Sequence, residues 1–246
     1  MKKTITLLTL FTTIISFAQS KVPSHEIWNT LLKKNVTVNG NVNYKGFISD
    51  SSQLNKYLKN LSENKPDEKT WSDNEQKAYW INAYNAFTVK LITKYYPVKS
   101  IKDIGSKMQI PFINTVWDIK FIKIGKDTYD LNNIEHSKLR KRFGDARIHF
   151  GLVCASKSCP ILLNEAYTSE KLDAQLDAQA KVFLSDKSRN DISAEKPKLS
   201  KIFDWYGMDF KSKGVSVIDF INKYSSVKIA SNAKVTYLDY GWNLNE

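Results

Sequence analysis

Histidine, arginine, cysteine, proline and glycine are all scarce in this 246-residue chain: three His, four Arg, two Cys, six Pro and nine Gly. Two cysteines are too few for a disulfide-dense scaffold or a four-cysteine zinc site. So little Gly and Pro, with no low-complexity stretch, argues against a collagen-like or disordered chain. Long apolar runs are missing too. The longest, Ile5 to Phe17, falls short of the roughly 20 residues that cross a bilayer. Arginine is rare among 37 basic residues, and no recognition motif accompanies the net charge of +12. The lysines are scattered beside abundant Asn and Ile and read as a solvated surface. No nucleic-acid partner is expected.

The chain opens with two lysines, the short apolar run, and small residues at Ser16 and Ala18. That is the pattern of a secretory signal peptide over residues 1–18, with the mature protein starting near Gln19. Cleavage removes Lys2 and Lys3 and lowers the charge to +10. No cysteine follows the run to take a lipid, and no later segment is apolar enough to span. An exported protein, periplasmic or secreted, without a membrane span in the mature chain, is expected. Residues 19–246 are long enough for one sizeable globular domain. The polar stretch 185–198 reads as an exposed loop within it.

Helices are legible from caps and periodicity. Ser72 with Glu75 three residues on forms a capping box, and Pro97 closes the far end, so a helix spans about 73–95. Leu172, Leu176, Ala180 and Phe183 form one stripe of an amphipathic helix. "LNNIEHSKLRKRF", "SHEIWNTLLKKNV" and "SSQLNKYLKNLSE" read as three more. "VWDIKFIKIGKDTYDL" alternates about a Gly-Lys-Asp turn and reads as a hairpin. "DARIHFGLVC" alternates as well, placing Arg147, His149 and Gly151 on one strand face. "KLSKIFDWYGMDF" and "AKVTYLDYGWNL" are later strand candidates. The elements are not in regular βαβ order, so the fold class is α+β: a helix-rich single domain with a small, mostly antiparallel sheet.

Chemistry concentrates in a few places. Asn82 and Asn85 sit on an otherwise apolar helix, where buried amides need partners. They either fasten neighbouring backbone or line a cleft. Arg140, Arg142 and Arg147 cluster within eight residues. A helix end accounts for the first two, through the dipole, but not for Arg147, whose planar fork suits an anion. "RIHFGLVCASKSCPIL" holds His149 and both cysteines. Cys154 and Cys159 are separated by a small polar turn, and an even count in an exported chain favours a disulfide. Alternatively Cys154 is a nucleophile, with His149 as base and Glu135, Asn82 or Asn85 orienting it. "H-x4-C-x4-C" matches no standard zinc spacing, and the adjacent Glu135 and His136 cannot easily face one ion, so no metal is expected.

"YWINAYNAF", "NNIEHSKLR", "ARIHFGLVCASKSCPIL", the "LDAQLDAQ" helix and the terminal "YLDYGWNLN", in that order, resemble the domain-of-unknown-function family 547. The likeness runs from about residue 70 to 246. It matches recurring family positions at Asn82, Asn85, Glu135, His136, Arg147, His149, Cys154, Ser156, Cys159 and Pro160. The family occurs in exported bacterial proteins and in plant proteins, and its name implies no established activity. The candidate catalytic residues are therefore His149, Glu135, His136 and Cys154, with Arg147, Asn82, Asn85 and Ser156 as binding residues. No cofactor is expected, and the ligand is an unidentified small molecule or polymer. The expected activity is hydrolysis of an envelope or extracellular polymer in a His-centred cleft. The alternative is a non-catalytic, disulfide-stabilised binding or scaffold domain.

Overall fold

The helix expected over 73–95 organises the molecule. The computed structural model describes residues 21–105, 115–211 and 214–246; the expected signal peptide lies outside the described residues. Three helices come first: α1 (Glu26–Asn35), α2 (Tyr44–Ser49) and α3 (Ser51–Glu63). α2 and α3 pack against α4 (Asp73–Tyr95), and α1 packs against both of them. The Ser72–Glu75 capping box that starts α4 is formed in both directions, at 2.7 and 3.3 Å, which contributes about 1 kcal/mol to holding that end. From Gln76 to Ile92 almost every α4 side chain is buried, as an all-round apolar helix requires.

Next comes the hairpin of β1 (Ile122–Ile124) and β2 (Asp127–Tyr129), antiparallel about Gly125-Lys126. Gly125 sits at φ +61°, the left-handed conformation that two-residue hairpin turns require. The expected helix after it is present. Residues Asn133–Arg140 have the wider π-helical register, and α5 (Lys141–Phe143) finishes it before Gly144 at φ +59°.

The strand expected across 147–154 is not formed. Residues Ile148–Gly151 make a helical turn, α6. Asp145 starts it: its carboxylate accepts from the Arg147 N–H at 3.1 Å and its carbonyl from the Ile148 N–H at 3.1 Å. Asp after Gly favours such a turn over a strand. All four α6 residues are buried, so the alternation of apolar and polar types marks no solvent face. Gly151 gives no opening for a ligand. A Cβ there would meet Leu176 Cδ2 at 3.2 Å, on α7 (Leu172–Ser185). Gly151 permits close helix packing.

After α7 and the expected loop comes β3 (Lys198–Leu199), then α8 (Ile202–Trp205), α9 (Gly207–Phe210) and α10 (Val217–Tyr224). The strand expected over "KLSKIFDWYGMDF" thus shrinks to two residues followed by two helical turns. That over "AKVTYLDYGWNL" shrinks to β4 (Thr236–Tyr237), which pairs in parallel with β3. The fold is a helix-rich α+β domain.

Two hydrophobic clusters meet at α6. The larger surrounds α4; the smaller gathers Phe150, Phe183, Phe203, Phe210 and Ile221. The tail runs back between them. Its backbone bonds the cysteine loop at Asn245 N–Ala155 O (3.2 Å), Lys157 N–Asn243 O (2.8 Å) and Ser158 N–Gly241 O (3.3 Å). These bonds hold Ala155 at φ 60°, a conformation that costs a non-glycine residue roughly 1–2 kcal/mol.

Candidate active site

A cavity of about 190 Å³ opens where α4, the π-helix, α6, α8 and the tail converge. Its lining includes Cys154, Cys159, His149 and Glu135 and is otherwise largely aromatic, with Tyr84, Tyr206, Tyr240 and three tryptophans, Trp117, Trp205 and Trp242. Of the residues expected in a site, the structure brings His149, Glu135 and Cys154 to this one space. Ser156 lies directly behind the cysteine.

His149 is only 4% exposed. Its Nε2 lies 2.7 Å from Asp209 Oδ2. A carboxylate accepts only, so Nε2 carries the proton, and the neutral imidazole keeps Nδ1 as its basic atom. Arg140 holds Asp209 through Nε at 2.5 Å and Nη2 at 3.0 Å. Burial opposes the charge on Asp209, but His149 and Arg140 together keep its carboxyl well below the usual range. Tyr206 lies over the imidazole at 4.1 Å between ring centroids. The imidazole is therefore fixed on one edge and one face.

Cys154 and Cys159 are free thiols in this structure, with sulfurs 2.9 Å apart, against the roughly 2.05 Å of a bond. Cys159 also accepts from the Cys154 N–H at 3.0 Å. Ser156 Oγ and the Tyr240 hydroxyl stand 3.3 and 3.5 Å from Cys154 Sγ. The Cys159 neighbour does most to pull the Cys154 thiol down to about 7, against burial, with help from Ser156 and Tyr240. Burial, then the hydrogen bond to Cys154 and the charge on it, pushes Cys159 up. The pair thus divides into one thiolate-forming sulfur and one that stays protonated and donates to it.

Glu135 projects inward from the π-helix and is 7% exposed. Burial, with the Glu135 charge next, pushes the phenols of Tyr84 and Tyr206 up, so both remain hydrogen-bond donors. His136, its neighbour, points outward and is bound by Arg140 Nη1 at 2.8 Å. It belongs to the support of Asp209 and does not line the cavity. Wide π-turns often mark functional sites, and this one places Glu135 inside and Arg140 behind Asp209.

The remaining expectations fall elsewhere. Asn82 and Asn85 are buried and hydrogen-bonded within the molecule, and both are spent on backbone. Asn82 bonds the Tyr167 carbonyl and N–H at 2.8 and 3.0 Å. Asn85 bonds the Gly151 carbonyl at 2.8 Å and the Val153 N–H at 3.0 Å. They fasten the segments on either side of the site, and neither lines the cavity. Arg147 is turned away from His149, because α6 is helical, and binds Asp145, Asp173 and Asp177 at 2.6–2.9 Å. Arg140, for which a helix-dipole role sufficed, is the arginine that serves the cavity. Sequence reasoning missed Asp209, Tyr206 and the aromatic wall. Nothing marks Asp209 in "WYGMDF", although the terminal "YLDYGWNLN" that supplies Tyr240 and Trp242 was among the motifs carrying the family resemblance. Among the described residues no group of three or more His, Cys, Asp or Glu is placed to hold a metal ion.

A helix-rich α+β domain, with a thiol, an oriented imidazole and a carboxylate around one aromatic-walled cavity, defines the class. The family model described as "Protein of unknown function, DUF547" matches residues 68–184, and this segment is similar to that family. The match takes in Glu135, His149 and the cysteines and stops short of Asp209 and the tail. The chain matches no curated protein and no solved structure.

Proposed function

We propose that this protein is a thiol-dependent hydrolase of acyl bonds, exported and acting on an envelope or extracellular polymer. The observation that carries this reading is the convergence of Cys154 and the Asp209-oriented His149 on one cavity. The Cys154 thiolate attacks the substrate carbonyl carbon. A C–S bond forms, the bond to the leaving amine or alcohol breaks, and the leaving group takes its proton from solvent. Water then attacks the thioester as His149 takes its proton, releasing the carboxylic acid and restoring the thiolate. No hydrogen bond joins His149 to Cys154, and none is needed for the first step. A thiol already pulled down to about 7 ionises near neutral pH without a base. His149 acts on the water, through its basic Nδ1. The test is a screen of peptide and ester libraries with reduced protein, reading acyl-enzyme by mass. A substrate-derived adduct on Cys154, lost in Cys154→Ala and long-lived in His149→Ala, supports the reading. Turnover unchanged in Cys154→Ala refutes it.

The 2.9 Å approach of the sulfurs favours one other reading: a binding domain whose Cys154–Cys159 bridge fixes the loop. A small-molecule disulfide would form it by exchange, taking both thiol hydrogens and leaving as two thiols. Alkylation of unreduced, natively exported protein separates the two. A bridged protein takes up no label and, under the hydrolase reading, regains activity on reduction.

A further inference from the structure

The charge lining the cavity is opposite in sign to that of the whole chain. Lys and Arg number 37 against 25 Asp and Glu, yet among the described residues the cavity lining includes neither Lys nor Arg. Asp209 is already neutralised by Arg140 and His149. Glu135 is not. It is more than nine-tenths buried, and among the described residues no Lys or Arg ion-pairs with it at close range; the Arg140 charge acts on it only from further off. His136 Nδ1, 4.0 Å from it, lies 2.8 Å from Arg140 Nη1, and arginine only donates, so that nitrogen is an acceptor there and makes no hydrogen bond to Glu135. A carboxylate buried without a close ion-pair partner is costly, and a cationic ligand relieves the cost.

Around Glu135 the walls are ring faces and edges. Tyr84 and Tyr206 stand beside it, and Trp117 meets Trp242 at 5.7 Å between ring centroids. Trp242 packs with Tyr240 at 4.6 Å, and Trp205 beside them is 49% exposed. One face of Trp242 already takes a cation, the Lys102 ammonium at 4.8 Å. Aromatic faces closed by a carboxylate recognise alkylammonium groups. A sugar ring would also stack on such walls, but needs a ring of hydrogen-bonding groups for its hydroxyls. Besides Glu135, the polar groups here are Asn132, His149, the two cysteines, three phenols and the indole N–H groups, and Asn132 already donates to Asp118.

We infer that the cavity binds an alkylammonium group of its substrate, with Glu135 as counter-ion and the Trp117–Trp242 pair and Tyr206 as walls. This rests on the cavity being the substrate site, and it names the substrate class: an acyl compound carrying an amine close to the bond that is cut.

Binding is measured apart from catalysis, by tryptophan fluorescence and calorimetry on full-length Cys154→Ala protein. The probes are tetramethylammonium, n-butylammonium, n-butanol, butyrate and N-acetylglucosamine. Both ammonium ions should bind saturably, at least ~10-fold tighter than butanol, with no binding of butyrate. Glu135→Gln should weaken the ammonium ions ~10-fold or more and leave butanol unchanged. Trp242→Leu, checked for folding by circular dichroism, should weaken them as well. Absence of saturable ammonium binding, tighter binding of the sugar, or equal ammonium affinity in a folded Glu135→Gln protein each overturns the inference. Ammonium binding without acyl transfer in the wild type would keep it and remove the hydrolase reading.

Discussion

Arg140 and Arg147 flank the same short helix and each is tied to aspartate, yet they do different work. Arg147 is surrounded by Asp145, Asp173 and Asp177, all bonded at 2.6–2.9 Å. Side-chain bonds to these carboxylates raise its pKa further, and against burial Arg147 and Lys77 hold Asp145 below its usual range. Nothing in that cluster reaches the cavity. It pins the start of α6 to α7. Arg140 spends its fork on one carboxylate, Asp209, whose other contact is the His149 ring. An ion pair that ends on salt-bridged partners is structural. One that ends on an imidazole in a cavity positions a proton-transfer group. Residue type does not distinguish them; what lies on the far side of the carboxylate does.

Substitutions at the two nodes should separate activity from stability. Asp209→Asn keeps the shape but can donate to Nε2, favouring the other tautomer of His149. Turnover should fall by about 10²–10⁴-fold, with melting temperature little changed. Equal turnover in the variant would end the distinction between the nodes. Arg147→Met leaves three aspartates facing one another, and should cost about 2–3 kcal/mol in urea unfolding while turnover of the folded fraction stays within about 2-fold. A large loss of turnover there would bring Arg147 back into the site. Asn82→Ala and Asn85→Ala each strand a buried carbonyl and N–H, and should cost about 1–3 kcal/mol. Stability changes within error of zero at both would show that the clamps beneath the site are dispensable.

Much of the scaffold was legible because its signals are local. The capping box, the Gly-Lys turn and the stripe of α7 each lie within a few residues, and each element formed where expected. Glu135, His149 and Cys154 were legible as chemistry, since scarce residue types stood close together. The orientation of the site was not. His149 and Asp209 are 60 residues apart and Cys154 and Tyr240 86, so only tertiary packing joins them. Four-residue turns such as α6, α8 and α9 are too short to show helical periodicity, and α6 is buried on all sides, so an accidental alternation looked like a strand. That misreading put Arg147 beside His149. The π register that turns Glu135 inward and Arg140 toward Asp209 leaves no trace in composition.

The reactivity of the two thiols tests the nucleophile directly. Reduced protein is pulsed with iodoacetamide across pH 5–10 and the label on each cysteine is read by peptide mass. Ionisation rises with pH, so Cys154 should label half-maximally near pH 7 while Cys159 stays unlabelled through that range. Cys159→Ser should change that midpoint, because Cys159 is the group that most lowers the Cys154 pKa. Labelling of Cys154 that begins only near the roughly 8.5 of a free thiol, or that favours Cys159, would contradict a Cys154 nucleophile.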